Sequence, residues 1–163
     1  MNIIGIDPGK SGAVVSMNLE THAVSSKQMT PMVKVGKSRH EYDVQQMSAI
    51  LRDLSECGGK VFIERQQARP GQGVSSMFTI GLGYGLWLGI CGGLQIPIEV
   101  VSPVSWTKEM LRGVPGEGKG RNILAAKRLF PSEDLRKSDR ARVAHDGICD
   151  ALLICEYGWR LSS

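Results

Sequence analysis

The stretch Asn2-Ile3-Ile4-Gly5-Ile6-Asp7-Pro8-Gly9-Lys10-Ser11-Gly12-Ala13-Val14-Val15-Ser16-Met17 decides the fold. Asn2–Asp7 is mostly apolar, which predicts a strand buried on both faces. Gly9-Lys10-Ser11-Gly12 predicts a turn, and Ala13–Met17 a second strand returning as a hairpin. An acid, Asp7, stands where the first strand stops.

Working outward, His22–Met29 predicts a third strand, and Thr30–His40, with Pro31, Gly36 and several basic residues, an exposed loop. Val44, Met47, Ile50, Leu51 and Leu54 recur at helical spacing over Asp43–Leu54. Gly58-Gly59 stops that helix, and Lys60–Glu64 predicts a short strand that again ends in an acid. After a loop at Arg69–Gly73 comes a predicted buried helix, Ser75 to Gly93, then a strand over Ile96–Val101. Ser102-Pro103 has the serine-then-proline signature of a short helix start. Val114–Gly120 predicts a glycine-rich link, Arg121–Phe130 a helix, Pro131–Arg142 a charged loop and Ala144–Arg160 a final helix. The order β-β-β-α-β-α-β-α-α is that of an α/β chain with an early antiparallel meander, and residues 1–163 predict a single domain.

Composition narrows the chemistry. The four cysteines form no CxxC pair and there are only three histidines, so a zinc site of the Cys/His kind is not expected. No secretory leader is expected, because the apolar run Ile3–Ile6 is short and ends at Asp7. Gln72–Ile98 lacks charge over a span long enough to cross a bilayer, but polar residues and glycines interrupt it, and the expectation is a soluble packed helix running into a strand. The expected location is cytoplasmic and nucleoid-associated, with an organellar or phage origin left open. Net charge is +4, and between Lys108 and Arg142 ten Lys/Arg stand against five Asp/Glu. A basic segment of this kind suits a phosphate backbone, or forms a solvated helical face.

The acids carry the chemistry. Asp7 and Glu64 close two short apolar strands; if those strands are parallel neighbours, the carboxylates face one another. Two bare carboxylates at ~4 Å repel by about 4 kcal/mol at an effective dielectric near 20, which calls for a cation or a shared proton. Asp146 and Asp150, at i and i+4, project from one helix face. Taken singly, each acid also reads as a strand end or a helix cap. Together they argue for hard, oxygen-liganded cations, Mg²⁺ or Mn²⁺. Two such ions ~3.5–4 Å apart would hydrolyse a phosphodiester without a protein nucleophile.

Three segments resemble the acidic motifs of RuvC-type Holliday junction resolvases, in the same order: Ile3-Ile4-Gly5-Ile6-Asp7-Pro8-Gly9, Phe62-Ile63-Glu64 and His145-Asp146-Gly147-Ile148-Cys149-Asp150-Ala151-Leu152. Val100-Val101-Ser102-Pro103, Trp106, Lys108 and Lys119 resemble the segment that carries that family's functional lysines, and Pro70–Phe78 is similar to its phage and plastid branch. The resemblance implies an α/β RNase H-like fold, a mixed five-stranded sheet flanked by helices. It also implies a homodimer that makes paired symmetric incisions in a four-way DNA junction, with Asp7, Glu64, Asp146 and Asp150 as metal ligands and Lys119 in the catalytic set. Lys108, Lys119, Arg65, Arg69 and Arg121 are the candidate contacts to DNA. The bacterial pattern spaces its last acids at i and i+3, whereas here Gly147 stands between an i, i+4 pair, so Asp150 is the firmer ligand. His145 at the helix start reads as exposed, or as a group that orients a water or phosphate; Trp106 and Phe78 read as core packing, with a base-stacking platform at Trp106 and a wedge into the junction at Phe78 as the alternatives.

Gly113–Lys119 and Gly9-Lys10-Ser11 imitate nucleotide loops but lack, respectively, the Ser/Thr after the lysine and the first glycine; no nucleotide cofactor is expected. The rival readings are another RNase H-like nuclease acting on RNA–DNA hybrids or flaps, an actin-like or sugar-kinase phosphotransfer domain, and a catalytically inactive DNA-binding module.

Overall fold

The structure is a computed structural model describing residues 1–68 and 70–163. Its strands are β1 (Asn2–Asp7), β2 (Ala13–Asn18), β3 (Val24–Met29), β4 (Met32–Val35), β5 (Arg39–Tyr42), β6 (Gly59–Glu64) and β7 (Ile98–Val101). Its helices are α1 (Val44–Ser55), α2 (Val74–Gly93), α3 (Pro103–Met110), α4 (Gly118–Leu129) and α5 (Asp146–Ser162). Five strands form one mixed sheet in the order β3-β2-β1-β6-β7. The meander β1-β2-β3 is antiparallel, while β6 and β7 run parallel to β1. This is the mixed five-stranded α/β architecture expected from the resemblance.

Side chains alternate across a strand, and the alternation sorts the core into two layers. Ile4, Ile6, Val14, Val61 and Ile63 pack with α1 and α2 residues such as Met47, Leu51 and Trp87. Ile3, Val15, Met17 and Phe62 pack on the other face with Trp106, Ala126, Leu152 and Cys155 from α3, α4 and α5. The same parity puts Asp7 and Glu64, two residues beyond Gly5 and Phe62, on the α5 face of the sheet.

α5 lies directly on β1. A Cβ at Gly5 would stand 2.3 Å from the carbonyl oxygen of Ala151 and 2.4 Å from the amide nitrogen of Cys155. At the other end of this contact, a Cβ at Gly147 would meet the Ser11 carbonyl at 2.1 Å. These two glycines allow the helix to seat its first turns against the β1–β2 turn, beside Asp7.

Four expectations change. Thr30–His40 is not a loop throughout: β4 and β5 pair antiparallel, Met32 opposite Tyr42 and Val35 opposite Arg39, around Gly36 at φ +65°. Alternating Val33/Lys34/Val35 has strand period, masked in sequence by the flanking lysines. α4 begins at Gly118 and so takes Lys119 out of the expected link. α2 is not a buried helix, since only Gly83, Trp87 and Cys91 are buried along it. Phe78, expected in the core, is 71% exposed. α2 is long and apolar enough to cross a membrane. Yet it joins β6 to β7, which pair in one sheet, and a helix crossing a bilayer would put those two strands on opposite sides.

Candidate active site

Asp7, Glu64, Asp146 and Asp150 stand at the carboxyl edge of the sheet, on the face covered by α5, within electrostatic range of one another. β1 and β6 are parallel neighbours, Ile6 opposite Ile63, so the two strands deliver Asp7 and Glu64 side by side. The first turns of α5 supply the other two acids. Asp7 feels all three: its carboxyl is pushed up to about 7, first by burial, then by the negative charges of Asp150 and Glu64 and, more weakly, Asp146. Burial likewise pushes Asp150 up to about 6, against the opposing hydrogen bond from Asn122.

The remaining polar contacts fix each acid separately. Glu64 accepts from the Trp106 indole N–H at 2.9 Å on one oxygen and from the Gln66 amide at 2.9 Å on the other. Asn122 on α4 donates to Asp150 at 2.8 Å. Lys119, in the first turn of α4, is hydrogen-bonded to Asp146, and this bond holds the Asp146 carboxyl below the usual range. His145 is partly buried rather than exposed, with Nδ1 3.7 Å from Asp146 Oδ1. That nitrogen is buried and has no hydrogen-bond partner among the described residues. His145 is covered because α5 seats its N-terminus closely against the β1–β2 turn.

Among the described residues, no three acidic, histidine or cysteine side chains converge tightly enough to form a ready-made chelate. Like-charged carboxylates turn to Trp106, Gln66, Lys119 and Asn122 instead of to each other. The donor set nevertheless fits a hard divalent cation: it is all carboxylate oxygen, and Asp7 is desolvated amid three other acids, a cost that a cation relieves.

The expected DNA contacts fall into three groups. Lys119 reaches the acids. Arg65 follows Glu64 directly and is exposed, and Lys108 is exposed on the last turn of α3, bonded to none of the four acids. Arg121 departs from expectation: its guanidinium donates to the carbonyls of Val114 and Leu111, both at 2.8 Å, and ties down the loop before α4. Arg69, also expected at the DNA backbone, lies outside the described residues.

Sequence reasoning missed Gln66, Asn122 and the bond made by Trp106. Trp106 does pack in the core, as expected, but its N–H faces Glu64. Only Gln66, two residues from an acid on the same strand exit, carried a local signal. Replacing Trp106 by phenylalanine keeps the ring packing and frees one Glu64 oxygen. On the nuclease reading that the resemblance implies, a loss of one hydrogen bond to a charged group is expected to slow cleavage by roughly tenfold and to leave DNA affinity unchanged. A kinetic comparison at saturating DNA checks this; an unaltered kcat means that Glu64 needs no such support.

The strand order, the parity and the acids at the carboxyl edge define an RNase H-like α/β fold. The chain matches no protein-family model, and no curated protein sequence matches it. Solved structures do. Thermus thermophilus RuvC in complex with a Holliday junction substrate aligns over 100% of this chain and 96% of its own, at 14% identity and a TM-score of 0.65. Thermus thermophilus RuvC in a second structure aligns over 99% and 97%, at 17% identity and a TM-score of 0.55. The yeast mitochondrial Holliday junction resolvase aligns over 97% of this chain and 77% of its own, at 15% identity and a TM-score of 0.59. At these identities the likeness establishes the fold, which is that of the RuvC-type resolvases.

Proposed function

We propose that this protein is a divalent-metal-dependent endodeoxyribonuclease that resolves four-way DNA junctions. The observation that carries the reading is the meeting of four carboxylates from β1, β6 and α5 around one desolvated aspartate, on the fold of proteins named as Holliday junction resolvases. Asp7, Glu64, Asp146 and Asp150 would hold Mg²⁺, or Mn²⁺ in its place, with room in the donor count for two ions. Such ions, when bound, would supply Lewis-acid activation of water and charge stabilisation for the leaving 3′-oxygen of a phosphodiester.

The chain's own residues prepare that pocket. Trp106 and Gln66 fix the rotamer of Glu64, and Asn122 fixes Asp150. Lys119 balances Asp146 in the free protein and is exposed enough to exchange that carboxylate for a scissile phosphate. Arg65 and Lys108 lie outside the pocket and serve the flanking backbone.

The homodimer in this reading is supported by α2. Gly81, Gly85, Gly89 and Gly93 recur every four residues, and a Cβ at each would meet nothing within 4 Å. Leu82, Leu86 and Ile90 flank the stripe, and with Gly81, Gly85 and Gly89 they line one open groove. A glycine stripe lets a second helix approach closely while the flanking leucines bury apolar area. Gly85→Glu is expected to leave the monomer folded, halve the mass seen in sedimentation, and uncouple the two incisions. An unchanged mass would move the interface elsewhere.

The decisive experiment offers Mg²⁺ and three labelled substrates: a four-way junction, a matched duplex and an RNA–DNA hybrid. Paired symmetric nicks confined to the junction are expected. Cleavage of the hybrid in preference would point to another RNase H-like nuclease, and ATP turnover without nicking would defeat the nuclease reading.

A further inference from the structure

The β4–β5 hairpin stands outside the main sheet and is pinned close to the acidic pocket. Tyr42, the last residue of β5, donates its hydroxyl to the Thr79 carbonyl of α2 at 3.1 Å. That hydroxyl also lies beside Pro8, the residue after Asp7: a Cβ at Gly83 would meet Tyr42 Oη at 2.3 Å and the Pro8 carbonyl at 2.7 Å. From the β1–β2 turn, Lys10 donates to the His40 carbonyl at 2.9 Å. Between hairpin and helix runs an open cleft of about 810 Å³, lined by Lys10, Arg39, His40, Tyr42, Phe78 and Leu82 among others.

The two walls of this cleft differ in chemistry. The hairpin wall carries Arg39 and His40 beside Lys10, together with Glu41, which pairs with Arg39 at 2.7 Å and is the only acid from Met32 to Tyr42; Lys34 and Lys37 stand exposed on the same hairpin, outside the cleft lining. Lys34 and Lys37 have no side-chain partner among the described residues. The helix wall is apolar: Val74 and Phe78 are more than two-thirds exposed, while Leu82 and Leu86, at its far end, belong to the groove assigned to the second copy. An apolar peptide would leave the basic wall unmatched, and an acidic peptide the aromatic one. A nucleic-acid strand matches both, with phosphates on one edge and base faces on the other.

We infer that this cleft holds a DNA strand next to the branch point, its phosphates against Lys10 and Arg39 within the cleft and against Lys34 and Lys37 where the strand leaves it along the hairpin, and an unstacked base against Phe78. The inference rests on the junction-nuclease reading and adds a second cationic arm to it. Lys119 approaches the acidic pocket from α4 on one side of the sheet, and the hairpin approaches the same edge from the other.

The test is a triple variant, Lys34→Ala, Lys37→Ala and Arg39→Ala, with junction binding followed by fluorescence anisotropy in EDTA over about 50 to 200 mM salt. Affinity is expected to fall about tenfold or more, and the slope of log affinity against log salt to shrink by about 0.9 for each phosphate no longer neutralised. At saturating junction with Mg²⁺, kcat should stay within about twofold, since no acid is touched. The single Lys37→Ala, at the exposed turn, carries the same test on a smaller scale should the triple variant prove unstable. A 2-aminopurine beside the branch point should be quenched by the wild-type protein and not by Phe78→Ala. Wild-type affinity and salt slope in the hairpin variants overturn the inference, as does an equal loss on unbranched duplex. In either case, junction cleavage by the wild-type protein would leave the nuclease reading standing. A wild-type protein that binds no DNA overturns both.

Discussion

Replacing Asp7 by asparagine is expected to lower junction cleavage by about a thousandfold or more, while making the metal-free protein more stable near pH 8. The two effects have one origin. In the folded protein the Asp7 carboxyl is pushed up to about 7 from 3.8, with burial as the first cause and three neighbouring acids behind it. Below pH 4 the proton is held in both the folded and unfolded chains, and the site costs nothing. As pH rises towards 7 the unfolded chain ionises while the folded carboxyl does not, so stability falls across that window, by up to about 4 kcal/mol. Asp150, pushed up to about 6, acts with the same sign over a narrower range.

Asparagine removes the charge and with it the penalty. The metal-free variant should therefore unfold at higher temperature than wild type near pH 8, and the difference should vanish on acidification to below about pH 4. Mg²⁺ binds the ionised cluster, so it should raise the wild-type melting temperature near pH 8 and have little effect on the variant. Calorimetry with and without Mg²⁺, beside a junction-cleavage assay, reads all of these. Near-normal cleavage by Asp7→Asn would remove Asp7 from the ligand set, and a melting temperature flat in pH would mean that its carboxyl is not desolvated.

The second large effect is expected at Gly5, which carries no functional group. Gly5→Val should destabilise the protein by more than about 3 kcal/mol. The new side chain would collide with α5 backbone, at the Ala151 carbonyl and the Cys155 amide, and backbone cannot swing aside as a side-chain tip can. Whatever fraction stays folded must lift α5 from β1, which draws Asp146 and Asp150 away from Asp7. Cleavage is therefore expected to fall further than the loss of folded protein accounts for. Gly120→Ala is the control: it lies in α4, where a Cβ meets nothing within 4 Å, and should stabilise slightly through helix propensity. Chemical denaturation of the two variants tests the difference; a mild Gly5→Val would mean that α5 does not sit on the sheet as described.

Most elements are legible in the sequence because their patterns are local. The apolar runs ending in Asp7 and Glu64, the helical spacing from Val44 to Leu54 and the serine–proline start of α3 all lie within a few residues of the feature they specify. The hairpin at Met32–Tyr42 reads as a loop because four-residue strands carrying exposed lysine and arginine give a weak alternation. The helix at Val74–Gly93 is legible as a helix but reads as core, since composition cannot say whether an apolar face is covered by its own chain or left open.

Adjacent residues alone settle which acids close which strands, and that Asp146 and Asp150 lie on one helix face, because strand parity and helical rise are local properties. The tertiary structure alone decided that these acids meet. Their meeting depends on β1 pairing parallel with β6, and on Gly5 and Gly147 letting α5 approach within backbone contact. It decided as well which acid is desolvated, and that Trp106, Gln66, Asn122 and Lys119 each hold one of the others. Charge desolvation and hydrogen bonds between residues far apart in the chain are set by packing, and no local pattern encodes them.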